Sequence, residues 1–196
     1  MKLTLKTPRQ ALNKAFMKVK PTRVEIENFK TNLISLLDGI REDGREEFNK
    51  NVLSDFLKDT YYKQIHSINT KDDNDLVIHN GLSDKTPVGV IIETKRPSEK
   101  AHMVSKEKLN VKAFHELVLY YLRERVTLKN LEVKHLIITN INEWYIFDAT
   151  LFERLFAQNK KFVEQFIDFE ARRLADFRTD FFYKQIAEPF ISSISS

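Results

Sequence analysis

Two β-branched runs separated by a polar loop place the strongest constraint on the fold of this chain. The first run, DLVIH, covers residues 75–79, and the second, VGVIIETK, covers residues 88–95. β-Branched residues favour strands, and the loop between the runs is rich in Gly, Ser, Asp and Pro, which favour turns. The pattern predicts an antiparallel hairpin whose loop is centred near Asp84.

The position of the loop sets the register of this hairpin. Three pairs are expected: Asp75 with Glu93, Val77 with Ile91, and His79 with Gly89. Side chains alternate between the two faces of a strand, so Glu93 and Lys95 project from the same face. Asp75 joins them there, because directly opposed Cβ atoms are about 5 Å apart.

Two acids and one lysine at this end of the hairpin predict a metal-dependent hydrolytic site. Opposed carboxylates such as Asp75 and Glu93 repel unless one is protonated or a cation lies between them. Ligands that are all oxygen select a hard ion such as Mg²⁺. Such an ion lowers the pKa of a bound water and neutralises charge on a phosphoryl group, which Lys95 can also reach. The alternative is that these are charged strand ends facing water, as in the similar tripeptides at residues 132–134 and 176–178.

The remaining segments predict helices on both sides of the strands. Thr7 and Thr22 are expected to begin the first two helices, each with a Gln or Glu three residues later. Four further elements are expected: a short strand at 64–70, a helix at 107–125, and strands at 133–139 and 143–149. The first helix is expected to carry Ala11, Leu12, Ala15 and Phe16 on one face, and the third is expected to carry Phe48, Val52, Phe56 and Leu57 toward the core. From about Thr150 the sequence is helical and rich in Phe, so the predicted fold class is α/β, a mixed sheet flanked by helices.

Composition limits the classes of function. The 196 residues contain no Cys, which excludes disulfides, thiolate zinc sites and Cys nucleophiles. The net charge of +4 is compatible with a polyanionic partner. No apolar run reaches the length of a membrane span and the first residues lack a signal-peptide pattern, so we expect no membrane partner and a cytoplasmic location.

The hairpin residues also resemble a known signature. Asp75 followed by Glu93-Thr94-Lys95 resembles that of PD-(D/E)XK nucleases, although Asn74 stands where the name has Pro. Most of residues 1–190 resemble the N-terminal endonuclease region of type IIG restriction-modification enzymes. Four stretches carry this likeness: NDLVIHNG, VGVIIETKRP, KAFHELVLYYLRE and LIITNINEWYIFDATLFE.

The resemblance implies a restriction-endonuclease-like fold with helical segments at both ends. Residues 1–196 would form a single domain, with a helical lead-in at 1–60, the catalytic sheet and helix at 61–148, and a helical segment at 149–196. The implied activity is Mg²⁺-dependent hydrolysis of double-stranded DNA in a restriction-modification system, with Mn²⁺ as a substitute. Asp75, Glu93 and the Thr94 carbonyl would bind the metal, and Lys95 would position or activate the attacking water.

The family also suggests residues on the flanking helices. Its helix Glu falls at Glu47 or Glu46, and Glu47 is preferred, although both are also ordinary first-turn acids favoured by the helix dipole. Glu116 and Tyr120 form an i, i+4 pair where the family often has Gln. His115 is the neighbouring polar candidate. As an alternative, Tyr120 and the adjacent Tyr121 are core aromatics.

Two basic residues, Arg96 and Lys112, are the candidates for contacts with DNA phosphates. The chain has no Asn-Pro-Pro-Tyr motif for adenine methylation, so a methyltransferase or specificity module would lie on the same or another chain. The alternative function is a catalytically inactive nuclease-like domain that binds DNA or protein. A further alternative is a helical interaction module in the Phe-rich segment at 150–190.

Overall fold

A five-stranded mixed sheet forms the centre of the molecule, with its strands in the order β1-β2-β3-β4-β5. The structure, a computed structural model, describes residues 4–71 and 74–194, and for Asn74 and Asp75 the backbone alone. The strands are β1 (Ile68–Lys71), β2 (Asn74–His79), β3 (Val88–Thr94), β4 (His135–Thr139) and β5 (Trp144–Asp148). Neighbours are antiparallel except β3 and β4, which are parallel and therefore need a helical crossover. The prediction of a mixed α/β sheet is confirmed.

The helices flank this sheet on both faces. They are α1 (Pro8–Ala11), α2 (Arg23–Gly39), α3 (Glu46–Leu57), α4 (Lys112–Leu122), α5 (Ala149–Phe152), α6 (Lys160–Glu170), α7 (Thr179–Phe181) and α8 (Glu188–Ser193). Four of them continue as π-helical turns: Lys58–Tyr62, Arg123–Thr127, Glu153–Ala157 and Phe182–Ala187. A 3-10 turn covers Phe16–Lys18. The crossover between β3 and β4 contains α4, which packs on both strands.

The central hairpin has the expected register over most of its length. Val77 lies opposite Ile91, as predicted. The expected pairing of His79 with Gly89 is wrong, because a bulge shifts His79 opposite Val88. The buried imidazole of His79 is held by the Thr86 carbonyl at 2.6 Å and by Asn69 Oδ1 at 3.0 Å.

Gly89 leaves room for the Asn80 side chain where this bulge occurs. A Cβ atom at position 89 would lie 2.1 Å from Asn80 Oδ1, well inside van der Waals contact. The irregular end of the hairpin is therefore built around a residue without a side chain.

Local hydrogen bonds decide where two predicted helices begin and end. Thr7 and Thr22 begin α1 and α2 with complete capping boxes, as predicted. The expected helical face of Ala11, Leu12, Ala15 and Phe16 is wrong, because α1 ends at Ala11 after four residues. All four side chains are exposed. Asn13 Oδ1 accepts the Ala15 N–H at 2.9 Å, a local turn that competes with the helix.

The helix predicted at 107–125 starts late, at Lys112. The Ser105 hydroxyl accepts backbone N–H bonds from Glu107 and Lys108 at 3.3 and 3.1 Å, which holds those residues in a turn.

Two hydrophobic clusters cover opposite faces of the sheet. In the smaller cluster, Leu53 and Leu57 of α3 pack on Leu76 and Ile92. The larger cluster joins the other face to α4 and the C-terminal helices. It buries six phenylalanines of the Phe-rich segment: Phe152, Phe156, Phe162, Phe166, Phe169 and Phe182. This burial argues against the alternative in which that segment is an interaction module.

In the described part of the chain, no helix has both the length and the apolar character needed to cross a membrane.

Candidate functional site

The candidate site lies at the end of β3, where Glu93 and Lys95 project toward α4. Both side chains are buried, with relative exposures of 1% for Glu93 and 6% for Lys95. The Lys95 N–H donates to the Thr139 carbonyl at 2.8 Å, which continues the β3–β4 pairing past the last residue of β3. The sheet itself therefore fixes the direction in which the lysine leaves the backbone.

Carboxylates from three different elements converge on the Lys95 ammonium. Glu93 of β3 is in direct contact with Nζ, Glu116 Oε2 of α4 lies 2.8 Å away, and Glu46 Oε1 of α3 lies 3.3 Å away. We call Glu46, Glu93, Lys95 and Glu116 the carboxylate–lysine cluster. Its members are separated by up to 70 positions in the sequence, so only the packing of α3 and α4 against the end of the sheet brings them together.

The cluster keeps Lys95 in its charged form. Burial disfavours the ammonium, but the negative charges of Glu93, Glu116 and Glu46 outweigh that penalty and raise the Lys95 pKa above its ordinary value. Lys112 adds a weaker contact, since its Nζ lies 3.6 Å from Glu116 Oε1. The carboxylates still outnumber the nearby ammonium groups, so the site favours an additional cation.

Glu46, rather than the preferred Glu47, is the acid of α3 that lies beside Lys95. Glu47 projects into solvent, 64% exposed, and pairs with Lys50 at 2.6 Å. Successive side chains on a helix point about 100° apart, so these neighbours cannot both face Lys95.

The other predicted residues lie in different environments. The side chain of Asp75 lies outside the described residues; the β2–β3 register, continued by one residue from Leu76 and Ile92, sets position 75 opposite Glu93. Thr94 is buried in β3. Tyr120 belongs to the larger hydrophobic cluster, in agreement with its alternative assignment as a core aromatic.

The two candidate DNA contacts are partly exposed at the rim of the site. Lys112 approaches Glu116 as described above, and its side chain is 43% exposed. Arg96 follows Lys95 directly and lies 3.4 Å from Glu99. Sequence reasoning missed the contact between Lys112 and Glu116, although their i, i+4 spacing was a signal for it.

His115 lies beside the cluster but does not join it. Its Nε2 donates to Asn110 Oδ1 at 2.6 Å. Burial lowers the His115 pKa to about 4, against a smaller opposing effect of Glu116, so the imidazole is neutral at physiological pH. With Lys108, Lys112 and other residues it lines a cleft of about 370 Å³.

The donor chemistry of the cluster fits a hard divalent cation. Its ligating atoms are all carboxylate oxygens, the type that Mg²⁺ prefers. Over residues 4–71 and 76–194, however, no three His, Asp or Glu side chains are arranged as a metal site. The Lys95 ammonium lies at the point where the three carboxylates meet, so binding of a metal there requires Lys95 to move.

Comparison with known proteins gives a family without an assigned activity. Residues 6–196 match the model of a family described as a domain of unknown function, DUF7149. No curated protein and no solved structure matches the chain. The carboxylate–lysine cluster is therefore the feature of this chain that points to a function.

Proposed function

We propose that the chain, which belongs to the DUF7149 family, is a Mg²⁺-dependent endonuclease module that hydrolyses DNA in a restriction-modification system. The single observation that carries the proposal is the convergence of Glu46, Glu93 and Glu116 on Lys95 at the end of β3. A restriction-endonuclease-like fold is part of the proposal. It is supported by the order of helix, three strands, helix and strand, with α4 linking the parallel strands β3 and β4. A methyltransferase or specificity module would act as a partner.

Each member of the cluster has a role in this proposal. Glu93 and Glu116, together with Asp75, would hold Mg²⁺, which when bound lowers the pKa of a water and neutralises charge on the phosphoryl group. Lys95 keeps its proton, so it donates hydrogen bonds to the attacking water or to a phosphate oxygen and does not act as a base. Glu46, half-buried at the rim, orients the Lys95 ammonium.

The neighbouring acids Glu46 and Glu47 offer a matched test of this arrangement. Wild-type chain should nick supercoiled plasmid DNA when Mg²⁺ or Mn²⁺ is present. We expect Glu46→Gln to slow nicking by about 10- to 100-fold, the usual effect of losing a group that orients a metal-site residue. Glu47→Gln changes the same charge on the same helix and should leave the rate unchanged.

Two results would contradict the proposal. One is a wild-type chain that cuts no DNA with either metal, alone or with its methyltransferase partner. The other is an equal loss of nicking in Glu46→Gln and Glu47→Gln, which would indicate an effect of charge alone.

One observation favours a second candidate function, a catalytically inactive domain that binds DNA or protein. Lys95 is enclosed by three carboxylates, which satisfy its charge without a metal. Calorimetry with Mg²⁺ and Mn²⁺ separates the two functions. The nuclease should bind metal and lose binding in Glu93→Gln, whereas the inactive domain should give no heat of binding in either form.

A further inference from the structure

Positive charge is concentrated in one segment of the chain, which we call the basic arm, residues 4–23. Of the 32 Lys and Arg residues, seven lie within residues 1–23, against none of the 28 Asp and Glu residues. The net charge of +4 therefore becomes −3 when those 23 residues are left out. Six of the seven cations lie in the basic arm: Lys6, Arg9, Lys14, Lys18, Lys20 and Arg23.

Every residue of the basic arm is exposed to solvent. In the described part of the chain, none of its six cations lies within 4 Å of an Asp or Glu oxygen, the distance of an ion pair. Elsewhere many cations are paired, such as Lys71 with Glu124 at 2.5 Å and Arg125 with Glu153 at 2.7 Å. Hydrogen bonds from Thr150 are the main cause of the lowered Asp148 pKa, and Lys6 makes a small contribution to it. The charges of the other five cations are thus available to a partner.

The rest of the molecule would repel a polyanion. It carries the net negative charge, and the carboxylate–lysine cluster places three acids around one buried ammonium. Beyond Arg96 and Lys112 at the rim of the cluster, a nucleic acid that approaches it therefore needs cations from another part of the chain. We propose that the basic arm binds the phosphate backbone of double-stranded DNA; this inference rests on the proposed function.

The backbone of the arm favours DNA over an anionic membrane surface. The arm also exposes apolar side chains, including Leu12 and Phe16, as a membrane-binding segment would. Such a segment needs a continuous amphipathic helix to bury one apolar face. The helical pieces of the arm contain only four and three residues, too few for that face.

Arg23, the last residue of the arm, and the loop that leads to Glu46 of the cluster lie at opposite ends of α2. Arg23 begins this helix and Gly39 ends it, just before the loop that leads to Glu46. Seventeen residues span about 25 Å in a helix. This length corresponds to roughly seven base pairs at 3.4 Å each, so one duplex can contact both regions.

DNA binding by the full chain tests the proposal. The arm variant replaces all six cations by Gln, and the control variant replaces six exposed cations elsewhere by Gln: Lys85, Lys129, Lys134, Arg154, Lys160 and Lys161. Fluorescence anisotropy with a labelled 20-base-pair duplex is measured in EDTA, so that no cleavage occurs, over a series of salt concentrations. We expect the arm variant to bind about 100-fold more weakly, with a slope of log Kd against log salt shallower by about 3–5. The control variant should lose much less affinity for the duplex than the arm variant.

Equal losses in the two variants, or unchanged binding by the arm variant, would overturn the inference. It would also be overturned if the wild-type chain bound vesicles of phosphatidylserine and phosphatidylcholine through the arm but did not bind the duplex. Because the assay contains no divalent metal, it is independent of cleavage. A chain that binds through the arm but never cuts DNA contradicts only the nuclease proposal.

Discussion

Replacing Lys95 with Met is expected to reduce DNA cleavage by about 1,000-fold and to lower the free energy of unfolding by about 3–5 kcal/mol near pH 8. Methionine keeps most of the buried volume of the side chain and removes only its charge and hydrogen bonds. The loss of activity follows from the position of Nζ, which is the only cationic group in direct contact with Glu93 among the described ion pairs. The loss of stability follows because buried carboxylates are left facing one another without their cation.

The pH dependence identifies the cause of this destabilisation. In the wild-type chain Lys95 has a raised pKa, so its stabilising effect is fully present below the unfolded value of about 10.4 and does not change between pH 5 and 8. In the variant, burial and like charge make the folded state hold carboxyl protons more tightly than the unfolded state. Stability then falls as pH rises above the unfolded carboxyl pKa of about 4.3. The deficit should therefore be larger at pH 8 than at pH 5.

Urea denaturation at the two pH values and a plasmid-nicking assay check these expectations, with the exposed Lys85→Met as the control. A deficit that is the same at pH 5 and pH 8 would show that lost packing, not charge, destabilises the variant. Wild-type nicking rates in a folded Lys95→Met protein would remove Lys95 from the proposed mechanism.

The central hairpin could be predicted from sequence because its strands and its loop are determined by neighbouring residues, within positions 75–95. The β-branched runs predicted the strands, and the position of the polar loop predicted the register that pairs Val77 with Ile91. The bulge at His79 could not be predicted in this way. It depends on the contacts of the buried imidazole with Asn69 in the neighbouring strand and with Thr86 in the loop.

The position of Glu46, rather than Glu47, beside Lys95 could not be predicted for a different reason. Both acids suit the first turn of a helix, so the decision depends on which face of α3 is buried. Phe48 was expected to face the core together with Val52, Phe56 and Leu57, but its ring is partly exposed. The Arg41 guanidinium covers it, 4.5 Å from the ring centroid. The observed face contains Leu53, which lies seven positions after Glu46 and so on nearly the same side of the helix.

The convergence of Glu116 on Lys95 could not be derived from local patterns. Ten of the eleven residues of α4 are buried. The pattern of apolar residues therefore does not show which side of α4 faces the sheet. Its rotation is fixed by contacts with the sheet on one side and the C-terminal helices on the other. Glu116 was a candidate because of the resemblance to PD-(D/E)XK nucleases. The direction of its side chain, toward Lys95, follows from the packing of α4.

The second large effect is expected from Phe156→Ala, at the centre of the aromatic packing that joins the C-terminal helices to the sheet. Phe156 is fully buried. Its ring centroid lies 6.1 Å from that of Phe114 in α4, and 5.2, 5.7 and 5.9 Å from those of Phe152, Phe162 and Phe190. Truncation of such a side chain costs about 3–5 kcal/mol through lost burial and the cavity left behind, which lowers Tm by about 10 °C in a chain of this size.

Calorimetric unfolding of the variant also tests the prediction that residues 1–196 form one domain. The C-terminal segment is tied to α4 and its following turn by Tyr121 and Arg125, which donate to Glu153 at 2.9 and 2.7 Å. If the segment is part of a single cooperative unit, Phe156→Ala should shift one transition as a whole. The exposed Phe16→Ala should change stability by less than about 0.5 kcal/mol. A variant in which the transition splits, with only the lower part shifted, would show that the C-terminal segment unfolds independently of the sheet that carries Glu93 and Lys95.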